Sequence, residues 1–296
     1  MSTLSLLATL MFLVQGSPAA PHAEDFAVQL DRHAVVGEHY LATGSVQHLH
    51  TFALITGESE KHKDERSTLR YELAVRVLEV GPTRHARRAA LTVHRFTREA
   101  GGVTTDVFAA GTTIDARLDG GKRVFEVGGK SVESQARQAL IEAVDLSPEH
   151  LPTDDEVLGS RQRRSIGESW PVSSDAMTRK HANVLDPQTV AGKVTLVARR
   201  EVGQIPCLEY HYRVEALSAV PTEVVPPGFD MKTSHVTIEG STFVPLDPLL
   251  PVMGRDLAIE MDGRAEGAVR GVPARAEIRS RKEYHLERQP LPAPAR

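Results

Sequence analysis

The sequence contains a single cysteine, Cys207, among its 296 residues. No intrachain disulfide is therefore possible, and a protein of this length has to be stabilised by a hydrophobic core. Aromatic residues make up only 5% of the chain, which argues mildly against a glycosidase cleft built on aromatic platforms. Lys and Arg (35) nearly balance Asp and Glu (39). The chain therefore lacks the positive field that attracts nucleic acid or anionic membranes.

Motifs of the common catalytic classes are also missing. The sequence has no G-x-S-x-G elbow, no H-E-x-x-H, no Walker loop and no G-x-G-x-x-G after a strand. Cys207 opens an apolar-rich segment, and no base is placed to activate it, so we interpret it as a small buried residue. These observations favour a protein that is not an enzyme and that carries no cofactor.

The first twenty residues have the pattern of an export signal. An apolar run ends at Val14, and the small residues of a cleavage site follow over 17–20. The run is shorter than the roughly 20 apolar residues that span a bilayer. The basic residue usual near the start of such signals is absent. We predict a signal peptide over 1–20, no transmembrane segment in the mature chain, and a periplasmic or extracellular location.

The rest of the chain is rich in alternating patterns. Such alternation is typical of strands with one buried and one wet face. Glycine-containing turns separate the runs at short intervals, which favours antiparallel hairpins. The pattern predicts a mainly β fold, with long antiparallel strands in one or two curved, half-barrel-like sheets. The clearest alternating sets are Tyr71, Leu73, Val75 and Val77, and Leu208, Tyr210, Tyr212 and Val214.

Composition divides the chain into two β-rich halves. We predict an N-terminal β-half over 21–150, whose helix at 131–145 packs on the concave side of the sheet. Two prolines and an acidic cluster near 151–166 indicate a linker. A C-terminal β-half follows over 167–287. The proline-rich end, 288–296, is expected to be a disordered tail.

A short motif recurs at the start of each half. Gly37-Glu38-His39-Tyr40 opens the first and Gly167-Glu168-Ser169-Trp170 the second, either through internal duplication or by coincidence. A secreted β-rich chain with these motifs and a central helix resembles a group of uncharacterised exported bacterial proteins in which G-D/E-x-W starts the second half. Its layout is also similar to the lipoprotein-carrier fold of the bacterial envelope. That resemblance implies a curved sheet that half-wraps a helix around an apolar groove.

From this layout we expect an exported, non-catalytic envelope protein. It would bind a lipid or another apolar or amphipathic ligand in the groove between sheet and helix, because ligand sites are concave and largely apolar. The candidate ligand-binding residues are Trp170, the sole tryptophan, and Tyr210 and Tyr212, which share one strand face.

Two other functions remain open at this point. One is a protein–protein interaction or structural module of the envelope without a small ligand, recognisable by an exposed apolar patch or a free sheet edge. The other is a metal-dependent envelope hydrolase built on His48 and His50, which share one strand face and need at least a third ligand. We interpret this pair as part of a solvated strand face and predict no metal.

Overall fold

The computed structural model describes residues 24–57, 59–132, 134–144, 146–181, 185, 188–217, 228–251 and 253–292. The predicted signal peptide, 1–20, lies outside these residues. The helices are α1 (Ser134–Ala143), α2 (Asp154–Leu158) and α3 (Ser174–Lys180). The strands are β1 (Asp25–Phe26), β2 (His39–Thr56), β3 (Ser59–Val80), β4 (Ala86–Ala100), β5 (Val103–Asp106), β6 (Thr113–Asp119), β7 (Lys122–Val127), β8 (Lys130–Ser131), β9 (Arg164–Ser165), β10 (Ser169–Pro171), β11 (Ala191–Val202), β12 (Ile205–Leu217), β13 (Phe229–Pro245), β14 (Met253–Val269) and β15 (Val272–Pro290).

The prediction of a mainly β, antiparallel fold is confirmed. Within the described residues, thirteen strands form one open sheet in the order β10-β11-β12-β13-β14-β15-β2-β3-β4-β6-β7-β8, and β5 also pairs with β4. Strands β1 and β9 form a separate small pair. The glycine turns at 101–102, 120–121, 128–129 and 203 join neighbouring strands, each with a positive φ, as tight hairpins require.

The two halves of the chain meet in the middle of the sheet. β15, the last long strand, pairs along its length with β2, the first long strand, so that Tyr284 lies opposite Val46. The charged residues of β15 therefore belong to a central strand with one exposed face. One row of directly opposed residues crosses seven strands on a single face of the sheet: Tyr212, Gly240, Leu257, Tyr284, Val46, Leu69 and Arg98.

The helices lie on that same face, which we call the helix face. Three alanines and Leu140 of α1 are buried with the side chains of β2, β3 and β4 in a first apolar cluster. α2, α3 and residues Phe26 and Leu30 cover a second cluster around β11, β12 and β13. Leu257 and Ile259 contact both clusters. The hydrophobic core is thus one layer on one face of the sheet.

Two predicted boundaries differ in detail from the structure. The segment 151–166, predicted as a linker, contains α2 and β9. Thr153 caps α2 in a reciprocal box with Glu156, a strong local start signal. β15 runs to Pro290, so the tail predicted from 288 begins inside a strand. The reason is Arg288, which is 6% exposed and stacks its guanidinium over the Tyr40 ring, 5.7 Å from its centroid.

The recurring Gly-Glu-x-aromatic motif builds the same turn twice. Gly37 and Gly167 have φ values of 86° and 91°, a region that favours glycine. The following glutamate accepts a hydrogen bond from the backbone N–H three residues earlier, at 3.2 Å for Glu38 and 2.9 Å for Glu168. In both copies the aromatic residue is then buried at the start of a strand. The two motifs are structurally equivalent.

Candidate functional site

A groove opens between α1 and the sheet at one end of the helix face. Its volume is about 470 Å³, within the range of small-molecule sites. The groove is bounded by β3, β4 and β5 on one side and by β7, β8 and α1 on the other. The apolar side chains that line it are Leu69, Val107, Phe108, Val127, Val132 and Ala136.

Aromatic packing supports the sheet side of this groove. The Phe108 ring meets the Phe96 ring edge-on, with centroids 5.3 Å apart, and Phe96 contacts Tyr71 at 6.0 Å. Such pairs add about 0.5–1.5 kcal/mol to the burial of their area. On the helix side, Ala136 and Ala139 are small enough to let α1 approach the strands. The walls are therefore built into the core of the protein.

Polar groups stand among the apolar walls. The lining also includes Arg98 from β4, Asp106 from β5 and Lys130 from β8. The Nε atom of Arg98 is buried and has no hydrogen-bond partner among the described residues. None of these residues was singled out from the sequence. The sequence pattern alone does not place Arg98 on the helix face. A bulge in β4 pairs Leu73 with Val93 but Glu72 with Arg95, and the extra residue turns Arg98 to this face.

The structure brings the three predicted ligand-binding residues together, but inside the second apolar cluster. Trp170, Tyr210 and Tyr212 are 4%, 1% and 5% exposed. The Trp170 Nε1–H donates to the Leu158 carbonyl at 2.7 Å, and its ring meets Tyr210 edge-on at 6.2 Å. Their role in ligand binding stays a prediction. Of the three, only Tyr210 lines one of the described cavities, which has a volume of about 240 Å³.

Carboxylates gather where α2 begins, next to this second cluster. Burial raises the pKa of Asp155 to about 6, and nearby Asp31 adds to the rise. Burial acts the same way on Asp154, but Arg255 and Lys180, each at 2.5 Å, outweigh it and hold the pKa of Asp154 well below its usual range. The Leu30 N–H donates to Asp155 Oδ1 at 2.5 Å. These contacts tie the N-terminal segment and α2 to the sheet.

His48 and His50 lie on the helix face, with ring centroids 6.2 Å apart. Burial lowers the pKa of His48, and the Lys282 ammonium lowers it further. The His48 Nε2 contacts the Ser280 hydroxyl at 3.3 Å. Across the described residues, no three His, Cys, Asp or Glu side chains converge as a metal site requires. Among the described residues, His48 and His50 therefore have no third metal ligand beside them.

The opposite side of the sheet, which we call the charged face, has two shallower depressions. The larger, about 710 Å³, includes Leu49 and Leu217 among many polar side chains. Its charges neutralise one another across strands, as where Arg281 bonds Glu260 at 2.6 Å and Arg279 lies 3.2 Å from Asp262. Cross-strand charge pairs of this kind are typical of a solvated sheet face.

The comparisons with known proteins identify no family. No protein-family model and no curated protein matches the chain. Among solved structures it is similar to the one titled "Lipid-protein interactions in lipovitellin", with a TM-score of 0.35 and 11% identity over 88% of this chain. The chain spans 26% of that protein's length. A second similarity is to "The complex structure of Pseudomonas aeruginosa MucA/MucB", with a TM-score of 0.18 and 9% identity, covering 80% of this chain and 88% of that one.

These similarities are too low to bear on fold or function. None of the helices among the described residues has the length and apolarity needed to cross a bilayer.

Proposed function

We propose that this chain is an exported, non-catalytic envelope protein that binds an amphipathic ligand in the groove between α1 and the sheet. The observation that carries the proposal is the cavity of about 470 Å³, whose lining combines six apolar residues with five polar ones, Arg98, Thr105, Asp106, Lys130 and Ser131. Apolar walls next to polar groups suit a ligand that has both an apolar and a polar part. The apolar run at 4–14 supports export, because its length and its small-residue ending match a signal peptide.

The groove beside α1 lies away from the three residues that the sequence indicated as ligand-binding. The second apolar cluster contains Trp170, Tyr210 and Tyr212, which pack there against other side chains of the protein. The row of opposed residues that joins Tyr212 to Arg98 crosses six strand intervals, or roughly 29 Å along the sheet. The groove beside α1 and the tryptophan cluster are therefore separate places on one face.

Nile red, an uncharged dye that brightens in apolar surroundings, tests the groove. We expect saturable binding to the purified mature protein and its loss in Val132→Trp, because an indole at this partly exposed position occupies the groove. Val103→Trp is the matched control, since Val103 is 63% exposed on neighbouring β5 and does not line the groove. Thermal unfolding confirms that both variants fold. Equal dye binding by wild type and Val132→Trp overturns the proposal.

A further inference from the structure

One arginine of the groove differs from its neighbours. Arg98 lies directly opposite Leu69 in the β3–β4 pair, which places it on the helix face. Nearby arginines on the other face form ion pairs, such as Arg70 with Glu99 at 2.9 Å. Arg98 forms no ion pair within the described residues, and its buried Nε–H has no acceptor there. A buried N–H without an acceptor costs free energy until an acceptor arrives.

The charge of the groove also favours an acceptor from outside the chain. The described lining residues carry two cations, Arg98 and Lys130, and one carboxylate, Asp106. Within the described residues, Asp106 forms no ion pair with either cation. The described lining thus has an excess positive charge, and its arginine carries a buried N–H without an acceptor among the described residues. Guanidinium groups bind carboxylates and phosphates through short, charge-assisted hydrogen bonds.

Two hydroxyl residues, Thr105 and Ser131, and six apolar residues complete the described lining. Each methylene of a ligand that is buried against apolar side chains such as Leu69, Phe108 and Val127 would contribute to binding through the hydrophobic effect. We infer that the ligand is an anionic amphiphile, whose carboxylate or phosphate head is bound by Arg98 and whose hydrocarbon chain fills the groove. This inference rests on the proposed function and adds the chemistry of the ligand's head to it.

Four ligands with one alkyl chain and different heads test this inference by displacing Nile red, each at concentrations at which it stays dissolved as single molecules. They are dodecanoate, dodecyl phosphate, dodecanol and dodecyltrimethylammonium. We expect the two anions to displace the dye at roughly tenfold lower concentration than dodecanol, and the cation to be the weakest competitor. The difference in affinity between the anions and dodecanol should become smaller in high salt, because salt screens exposed charge. The stronger of the two anions tells whether the head is a carboxylate or a phosphate.

The variant Arg98→Met tests whether the preference for anionic heads depends on Arg98. Methionine keeps the apolar stem, so we expect a roughly tenfold loss for dodecanoate and dodecyl phosphate and an unchanged affinity for dodecanol. Arg98→Lys should keep most of the preference for anions, which also guards against a variant that fails to fold. Arg95→Met is the matched control, because Arg95 lies on the same strand opposite Glu72 on the charged face.

The outcomes separate the two proposals. Equal displacement by all four ligands, or an equal loss for every ligand in Arg98→Met, overturns the anionic head and leaves the groove as a binding site. Displacement of the dye by none of the ligands, together with unchanged dye binding in Val132→Trp, overturns the proposed function itself.

Discussion

The Tyr212 phenol ring lies directly over Gly240, its partner across the β12–β13 pair. A β-carbon on Gly240 would lie 2.7 Å from both the Cζ and the Oη atoms of Tyr212, and 2.7 Å from the Asp256 carbonyl. Tyr71 covers Gly44 in the same way across the β2–β3 pair. An aromatic ring over a strand glycine keeps the helix face closely packed.

We expect Gly240→Ala to destabilise the fold by about 1–3 kcal/mol, because an added methyl group overpacks this contact. Urea unfolding at neutral pH measures the change. In a Tyr212→Leu background the same substitution should cost clearly less, since the ring that it strikes is gone, although the backbone carbonyl stays. A double-mutant cycle with no coupling between the two sites would contradict the close approach.

The pKa of Asp155 predicts a pH dependence of stability. Its pKa in the folded state, about 6, lies above its ordinary value of 3.8. The contribution of Asp155 to the free energy of unfolding is therefore fully present below about pH 4, where its carboxyl group is protonated, and is lost as the pH rises through about 6. Asp155→Asn keeps an acceptor for the Leu30 N–H without the buried charge. We expect this variant to gain stability relative to wild type at pH 8 but not at pH 4, measured by urea unfolding. A constant difference over this range would contradict the raised pKa.

Cys207 should be unreactive in the folded protein. Its side chain is fully buried, and burial raises the pKa of its thiol, so the nucleophilic thiolate is scarce at neutral pH. We expect Ellman's reagent to label no thiol in native protein and one thiol per chain in denaturing urea. Rapid labelling without denaturant would show that β12 opens locally or that the thiol is accessible.

Trp170, the one tryptophan of the sequence, reports which site the ligand occupies. It belongs to the second apolar cluster, and the groove belongs to the first. We expect blue-shifted emission that does not change when brominated dodecanoate fills the groove, because bromine quenches tryptophan only near contact. Quenching that saturates with the ligand would return the site to Trp170, Tyr210 and Tyr212.

Local patterns in the sequence predicted much of the sheet. The alternating residues of β3 and β12, such as Leu73 and Tyr210, are buried where alternation placed them. The helix predicted over 131–145 forms as α1. These features depend on residues close to one another in the sequence, so they can be predicted without knowledge of the tertiary structure.

The groove depends on relationships that local patterns do not contain. Strict alternation from Val93 would put Phe96 on the charged face, but the bulge at His94 turns it and Arg98 toward α1. Lys130 joins them only because β8 folds back on β7. Trp170 and Tyr212 attracted attention as large aromatic residues, yet size alone does not distinguish a ring that packs a core from one that contacts a ligand.

The pairing of β15 with β2 has a consequence for how the chain folds. The centre of the sheet joins its first long strand to its last, across nearly the whole sequence, and such long-range closure is slow. Until residues 272–290 have been synthesised, β2 and β14 are open edges of 18 and 17 residues. Open edges of this length pair readily with strands of other chains. A chain that stops before residue 272 should therefore aggregate, whereas a chain that includes β15 covers both edges with this single strand.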